Sequence, residues 1–219
     1  ELGAKFGLNY GWEHPLFFDK NVEDSAGFAR QPWWDVVGRE ARMLRDRAGI
    51  IDISNFAKYQ VAGPGALDWL EGLFANSMPK AVGRSCLTPL IGKRGGVAGD
   101  FTVTRLADDT FWILGGGAAE RFHHRFFRAH PLPDGTTFES LTEAMCGFNV
   151  AGPQARALLA RLTNADLSNS AFPFFRSKRI TVAGVACVAI RVSFTGDLGC
   201  ELHCAEADQT TLYTALLDA

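Results

Sequence analysis

Two stretches decide the fold. Lys58-Tyr-Gln-Val61 runs into Ala62-Gly63-Pro64 and the helical pattern Gly65-Ala-Leu-Asp-Trp-Leu-Glu-Gly-Leu-Phe74, while Cys146-Gly-Phe-Asn-Val150 runs into Ala151-Gly152-Pro153 and Gln154-Ala-Arg-Ala-Leu-Leu-Ala-Arg-Leu162. Both carry Val-Ala-Gly-Pro where a strand turns into a helix, 89 residues apart. Glycine lets the chain turn sharply out of the strand. Proline suits the first helical turn because its missing N–H has no partner there. A solenoid repeats every 20–50 residues or so, so a single recurrence at this spacing predicts two related subdomains.

Outward from these joints, Phe101-Thr-Val-Thr-Arg-Leu106 and Thr110-Phe-Trp-Ile-Leu114 flank a short polar turn, and Lys178-Arg-Ile-Thr-Val182 and Val185–Val192 flank Ala183-Gly184. Each pair reads as a hairpin. Helices are predicted over 35–48, 65–74, 118–129 and 154–162, and an amphipathic pattern runs from Gln209 to the last residue. Hairpins mixed with single helices give an α+β fold, two related subdomains of antiparallel sheet covered by helices. The expected divisions are an aromatic-rich, irregular lead-in with a first helix (1–49), a first αβ subdomain (50–140) and a second (141–219).

Composition narrows the function. With 22 basic and 24 acidic residues among 219, the net charge is −2, which speaks against a basic surface for nucleic acid or an anionic membrane. No apolar run approaches the roughly 20 residues of a membrane span, and Glu1-Leu2-Gly3-Ala4-Lys5 has no secretory h-region. The expected location is the cytoplasm of a bacterium or the mitochondrial matrix of a eukaryote. Residue 1 is not Met and the last helical pattern has no stop signal, so a fragment of a longer polypeptide is expected. The five cysteines are odd in number and scattered, which predicts reduced, packed thiols. In Cys200-Glu-Leu-His203-Cys204 the strand alternation sends His203 to the face opposite Cys200 and Cys204, so no metal is expected there.

Four stretches carry candidate chemistry. Gly115-Gly-Gly-Ala-Ala-Glu120 sits between strand and helix, but a glutamate at the third glycine position would repel a pyrophosphate. Arg121, Arg125 and Arg128 share one helix face, read mainly as solvated, with a ligand carboxylate as the lesser reading. Asp100 enters a strand after Lys93-Arg-Gly-Gly-Val-Ala-Gly99, where a carboxylate is placed either for a turn or to take a proton from an amine. Glu201 follows Ser193-Phe-Thr-Gly-Asp-Leu-Gly-Cys200 into an apolar strand, and a buried carboxylate there needs a partner such as an N–H edge.

In their order and spacing these pieces resemble the folate-binding aminomethyltransferase family, the fold of the glycine-cleavage T-protein. The carriers are Val-Gly-Arg-Glu (37–40), Ile-Asp-Ile-Ser-Asn-Phe-Ala-Lys (51–58), both Gly-Pro helix starts, Gly-Gly-Val-x-x-Asp (95–100) and Phe-Thr-Gly-Asp-Leu-Gly-Cys-Glu-Leu (194–202). Tyr10-Gly-Trp-Glu13 and Trp33-Trp34-Asp35 are closer to the C-terminal half of dimethylglycine and sarcosine dehydrogenases. The resemblance implies a tetrahydrofolate-dependent one-carbon transfer, giving 5,10-methylenetetrahydrofolate from an N-methyl amine oxidised by a flavin domain. That domain, in cis or in trans, would hold the FAD, and the family's C-terminal barrel would lie beyond this chain.

On the same basis Asp100 is the catalytic residue beside the folate amine. Glu201 holds the pterin, with Phe194, Gly116 and Tyr10 as further cofactor contacts. Phe194 stands where the family often has Tyr, and Gly116 where the T-protein branch has Asn. A stand-alone T-protein, a folate-dependent demethylase and a folate-binding module without catalysis are the competing readings.

Overall fold

The computed structural model describes residues 2–9, 12–25, 27–193 and 196–219. The lead-in is more regular than its composition suggests. Strands β1 (Ala4–Asn9) and β2 (Trp12–Phe18) form an antiparallel hairpin, followed by helix α1 (Trp34–Asp46). A lone two-stranded ribbon is marginal in water. This one is held by Phe17, which is buried and stacks on Trp33, just ahead of the helix, with ring centroids 6.5 Å apart.

The chain then builds two five-stranded antiparallel sheets, passing between them twice, after Asp52 and after Ser140. After β3 (Gly49–Asp52) come β4 (Ala57–Ala62), α2 (Ala66–Leu73), β5 (Ser85–Ile91), β6 (Val97–Ala107), β7 (Thr110–Gly115), α3 (Glu120–Arg128) and β8 (Thr137–Ser140). The second half runs β9 (Met145–Ala151), α4 (Ala155–Leu159), β10 (Ser177–Val182), β11 (Val185–Ile190), β12 (Gly199–Ala205) and α5 (Gln209–Asp218). The sheet orders are β5-β6-β7-β4-β8 and β10-β11-β12-β9-β3. The two are the same arrangement, as the repeated joint predicts.

The correspondence extends well beyond the joint. The offset of 89 carries Phe111 to Cys200, Trp112 to Glu201, and the start of α3 at Glu120 to the start of α5 at Gln209. The pairing obeys it too: Val61 faces Phe111 on β7, and Val150 faces Cys200 on β12. The fourth helix falls furthest short of its expected span. It ends at Leu159, where the hydrogen bonds Arg161 N–Leu158 O and Leu162 N–Leu159 O tighten the last turn.

Alternation along the strands sorts side chains between two cores. Ala57, Tyr59, Val61, Phe101, Val103, Phe111 and Ile113 pack under α2 and α3. In the second half Phe148, Val150, Leu202 and Ala189 pack under α4 and α5, with Cys146, Cys187, Cys200 and Cys204. The opposite faces of the two sheets meet through Trp112, Leu114, Val188 and Ile190. The result is four layers, helix–sheet–sheet–helix, with polar residues confined to the margin of the inter-sheet contact.

The edge strands are exchanged. β3 precedes β4 in the chain but pairs with β9, whereas β8 precedes β9 but pairs with β4. Matched hydrogen bonds close both crossings. Gly147 N donates to Ser54 Oγ (3.2 Å), and Lys58 N donates to Thr142 Oγ1 (3.1 Å). Ile53 N donates to Gly147 O (2.9 Å) and Leu141 N to Lys58 O (2.7 Å).

Both joint glycines need their identity. Gly63 and Gly152 have φ of +129° and +115°, and a Cβ would stand 2.3 Å from Gly135 O and 2.5 Å from Arg47 O. Substituting Gly152→Ala should therefore destabilise the protein by roughly 2–4 kcal/mol, since backbone has to move. Gly72→Ala, in helix α2 with nothing within 4 Å of the new methyl, should instead stabilise it by about 0.5–1 kcal/mol. Urea unfolding of the two variants checks both signs.

Candidate functional site

The margin between the sheets is built from residues that alternate away from the two cores. On the first sheet these are Lys58 and Gln60 of β4, Trp112 and Leu114 of β7, and Asp100 and Thr102 of β6. On the second they are Gly147 and Asn149 of β9, Glu201 and His203 of β12, and Val188 and Ile190 of β11. Trp112 and His203 touch edge to face across the interface, with ring centroids 6.1 Å apart.

Asp100 is exposed and pairs with Pro89 at the open end of β6. Its strand neighbour Phe101 faces Gly115, and Gly116 continues from β7 in extended backbone. A side chain added at Gly116 would meet open space. Asp100 and Gly116 thus stand side by side where their sheet meets solvent.

Glu201 is placed differently. Its side chain is 20% exposed, and its Oε2 lies 3.1 Å from Nε2 of the buried His203 two residues along the strand. A carboxylate can only accept, so Nε2 carries the proton. The other ring nitrogen, Nδ1, is buried without a partner. It sits over Gly147, where a Cβ would come within 2.8 Å of it. The absence of a side chain at Gly147 therefore makes room for the ring that steadies Glu201.

Beside Glu201, its direct cross-strand partner Asn149 is 8% exposed, and its carboxamide bonds no described residue. Asn149 was not singled out by the sequence reading, and His203 was weighed only as a metal ligand. The signal for His203 was its register: strand alternation puts it on the face of Glu201. Asn149 had no signal of its own, because its neighbour is set by sheet pairing.

Lys58, the last residue of the Ile51–Lys58 stretch, is buried on the same inner face. Its ammonium donates to Ser54 O and Phe56 O, each at 2.8 Å, and so ties down the crossing from β3 to β4. Burial lowers its pKa from 10.5 to about 8, while the carboxylates of Asp52, Glu120 and Glu201 oppose that shift.

Other candidates fall outside the margin. Glu120 is not part of a phosphate loop: it accepts from Thr142 Oγ1 (2.7 Å) and Ser140 Oγ (3.2 Å), which pins α3 to the crossing after β8. Arg121, Arg125 and Arg128 are exposed on α3, with the first sheet between them and the margin; Arg125 lies over the Phe122 ring. All five cysteines are free, and Cys146 and Cys204 face each other in the second core with sulfurs 3.3 Å apart. Burial pushes the Cys200 thiol up to about 12, away from a reactive thiolate. Tyr10 and Phe194 lie outside the described residues.

The depressed pKa of Lys58 sets a pH dependence. Between about pH 8 and 10.5 the unfolded chain binds more protons at this group than the folded one, so stability at this site rises with pH. The stability difference between wild type and Lys58→Met should grow by about 3 kcal/mol across that window, at 1.36 kcal/mol per pKa unit. Urea unfolding at several pH values tests it, and a difference independent of pH would show an ordinary lysine.

The whole chain, residues 1–219, matches the model of the GCVT N-terminal domain. It is 33% identical over 224 residues to "Dimethylglycine dehydrogenase, mitochondrial" of Homo sapiens, covering 100% of this chain and 26% of that protein. It is 29% identical to "Aminomethyltransferase" of Anoxybacillus flavithermus, covering 100% of this chain and 56% of that one. The structure superposes on the glycine cleavage system aminomethyltransferase T of Bartonella henselae with a TM-score of 0.80 at 24% identity, over 99% of this chain and 54% of that one. The chain thus spans about a quarter of the dehydrogenase and about half of the transferases it matches. No helix among the described residues is long and apolar enough to cross a membrane. Fold, repeated joint and sequence agree: the chain belongs to the GCVT N-terminal domain family.

Proposed function

We propose that this domain transfers one-carbon units to tetrahydrofolate, receiving them at the iminium or formaldehyde level from an N-methylated amine such as dimethylglycine or sarcosine. The amine would be oxidised by an FAD-containing domain outside this chain. The observation that carries the reading is the placing of two carboxylates, Asp100 and Glu201, on the facing sides of the two sheets, in unlike surroundings.

The residues present fit a reduced pterin. Glu201 offers two acceptor oxygens to a planar N–H edge, and His203 limits their rotation. Ile190, the cross-strand partner of Glu201, and Leu114 belong to the buried apolar contact that backs it. When bound, tetrahydrofolate supplies the amine nitrogens that accept the carbon. Asp100, exposed at the end of its strand, is free to take up the proton that such an amine sheds on bonding to carbon. The sheets hold the two carboxylates on rigid elements, so that positioning, as much as proton transfer, contributes to the rate. Similarity to the human dehydrogenase supports the coupling to flavin chemistry, as does Gly116, which suits that branch.

Asp100→Asn keeps the side chain's shape but removes its basicity. It should bind 5-formyltetrahydrofolate within about threefold of wild type while lowering formation of 5,10-methylenetetrahydrofolate by about 10²–10⁴-fold. Unchanged transfer by this variant would remove Asp100 from the mechanism.

A further inference from the structure

The duplication supplies an internal control for the site. Gln60 and Trp112 are cross-strand partners on β4 and β7; 89 residues later stand Asn149 and Glu201, cross-strand partners on β9 and β12. The first pair closes on itself, with Trp112 Nε1 donating to Gln60 Oε1 at 3.2 Å. The second does not. Glu201 is held from the side by His203, and Asn149, 8% exposed as a residue, has a carboxamide that bonds no described residue. Its polar atoms are not among the fully buried ones, so they remain reachable and uncommitted, as a ligand contact requires.

We propose that Asn149 is a second pterin-binding residue, its amide donating to the ring carbonyl while Glu201 accepts from the neighbouring ring N–H and amino group. The inference rests on the folate reading above. Along its 2-amino-4-oxo edge a pterin presents donor, donor, acceptor. A carboxylate answers the two donors but has nothing to give the carbonyl. Directly opposed residues of an antiparallel pair hold their Cβ atoms about 4.5–5.5 Å apart, so carboxylate and carboxamide address adjacent parts of one edge. Ile51, the neighbour of Asn149 on β3, is 53% exposed, so this side of the pair is open to an incoming ring.

Calorimetric titration of the intact protein with 5-formyltetrahydrofolate, together with unfolding midpoints, tests this. Wild type should bind, and Glu201→Gln should weaken binding. Asn149→Leu, nearly the same shape, should bind about tenfold more weakly without a lower midpoint, because it breaks no bond to a described residue. Asn149→Asp sets a second acceptor beside Glu201 and should cost about a hundredfold. Gln60→Leu makes the matching change in the first half, and should lower the midpoint by freeing Trp112 while leaving affinity within about twofold. If wild type binds and Glu201→Gln is weak, but both Asn149 variants bind normally, the assignment of Asn149 falls alone. If wild type does not bind, or is indifferent to Glu201→Gln, the folate reading falls and the assignment falls with it.

Discussion

The structure depends on the exchange of two short strands. β3 leaves the first half to complete the second sheet, and β8 leaves the second half's approach to complete the first. Neither sheet has its full set of strands without residues from the other side of the chain. The crossings are closed by equivalent bonds, Ser54 Oγ with Gly147 N and Thr142 Oγ1 with Lys58 N. Each is also latched to the first residue of an outer helix, through Glu120 of α3 to Ser140 and Thr142 and through Gln209 of α5 to Asp52 and Ser54. Lys58 adds a buried ammonium to one crossing only. Its desolvation cost is set against two carbonyl acceptors and the field of three carboxylates.

That interlock makes the site possible, because a ligand margin between two sheets needs their separation to be fixed. Trp112, Leu114, Val188 and Ile190 fill the shared interface, and the polar residues stand at its rim. In a symmetric pair both halves would offer the same groups there. Instead the first half puts Trp112 where the second has Glu201, and Leu114 where the second has His203. Under the proposed function, one half serves as wall and the other as recognition surface. The Trp112–His203 contact is where they meet.

Much of this was legible in the chain, for reasons that are local. Val-Ala-Gly-Pro marked both joints because only glycine takes the positive φ found at Gly63 and Gly152. The hairpins of β6–β7 and β10–β11 showed in alternation and turn residues. The α+β class and the family followed. The exchange of β3 and β8 was not legible, since pairing across 75 or more residues leaves no periodic trace in either segment. The ordered hairpin of β1 and β2 was read as irregular because Gly, Pro and aromatic residues obscured its alternation, and its anchor, Phe17 on Trp33, is a tertiary contact. Asp100 and Glu201 were found through motif resemblance, and their unlike environments emerged only from the sheets.

Those environments suit the two acids to the different tasks proposed for them. A group that must gain and lose a proton during turnover needs access to solvent, and freedom from partners that would hold it in one state. Asp100, exposed on β6 and with its carboxylate bonding no described residue, fits that description. A group that must recognise a fixed pattern of donors needs the reverse, with restricted rotation and a drier setting in which each hydrogen bond counts for more. Glu201, four-fifths covered and bonded to a buried imidazole, has that. Exchanging the two settings would defeat both roles: a pinned base would resist titration, and a free, solvated acceptor would bind its ligand in competition with water.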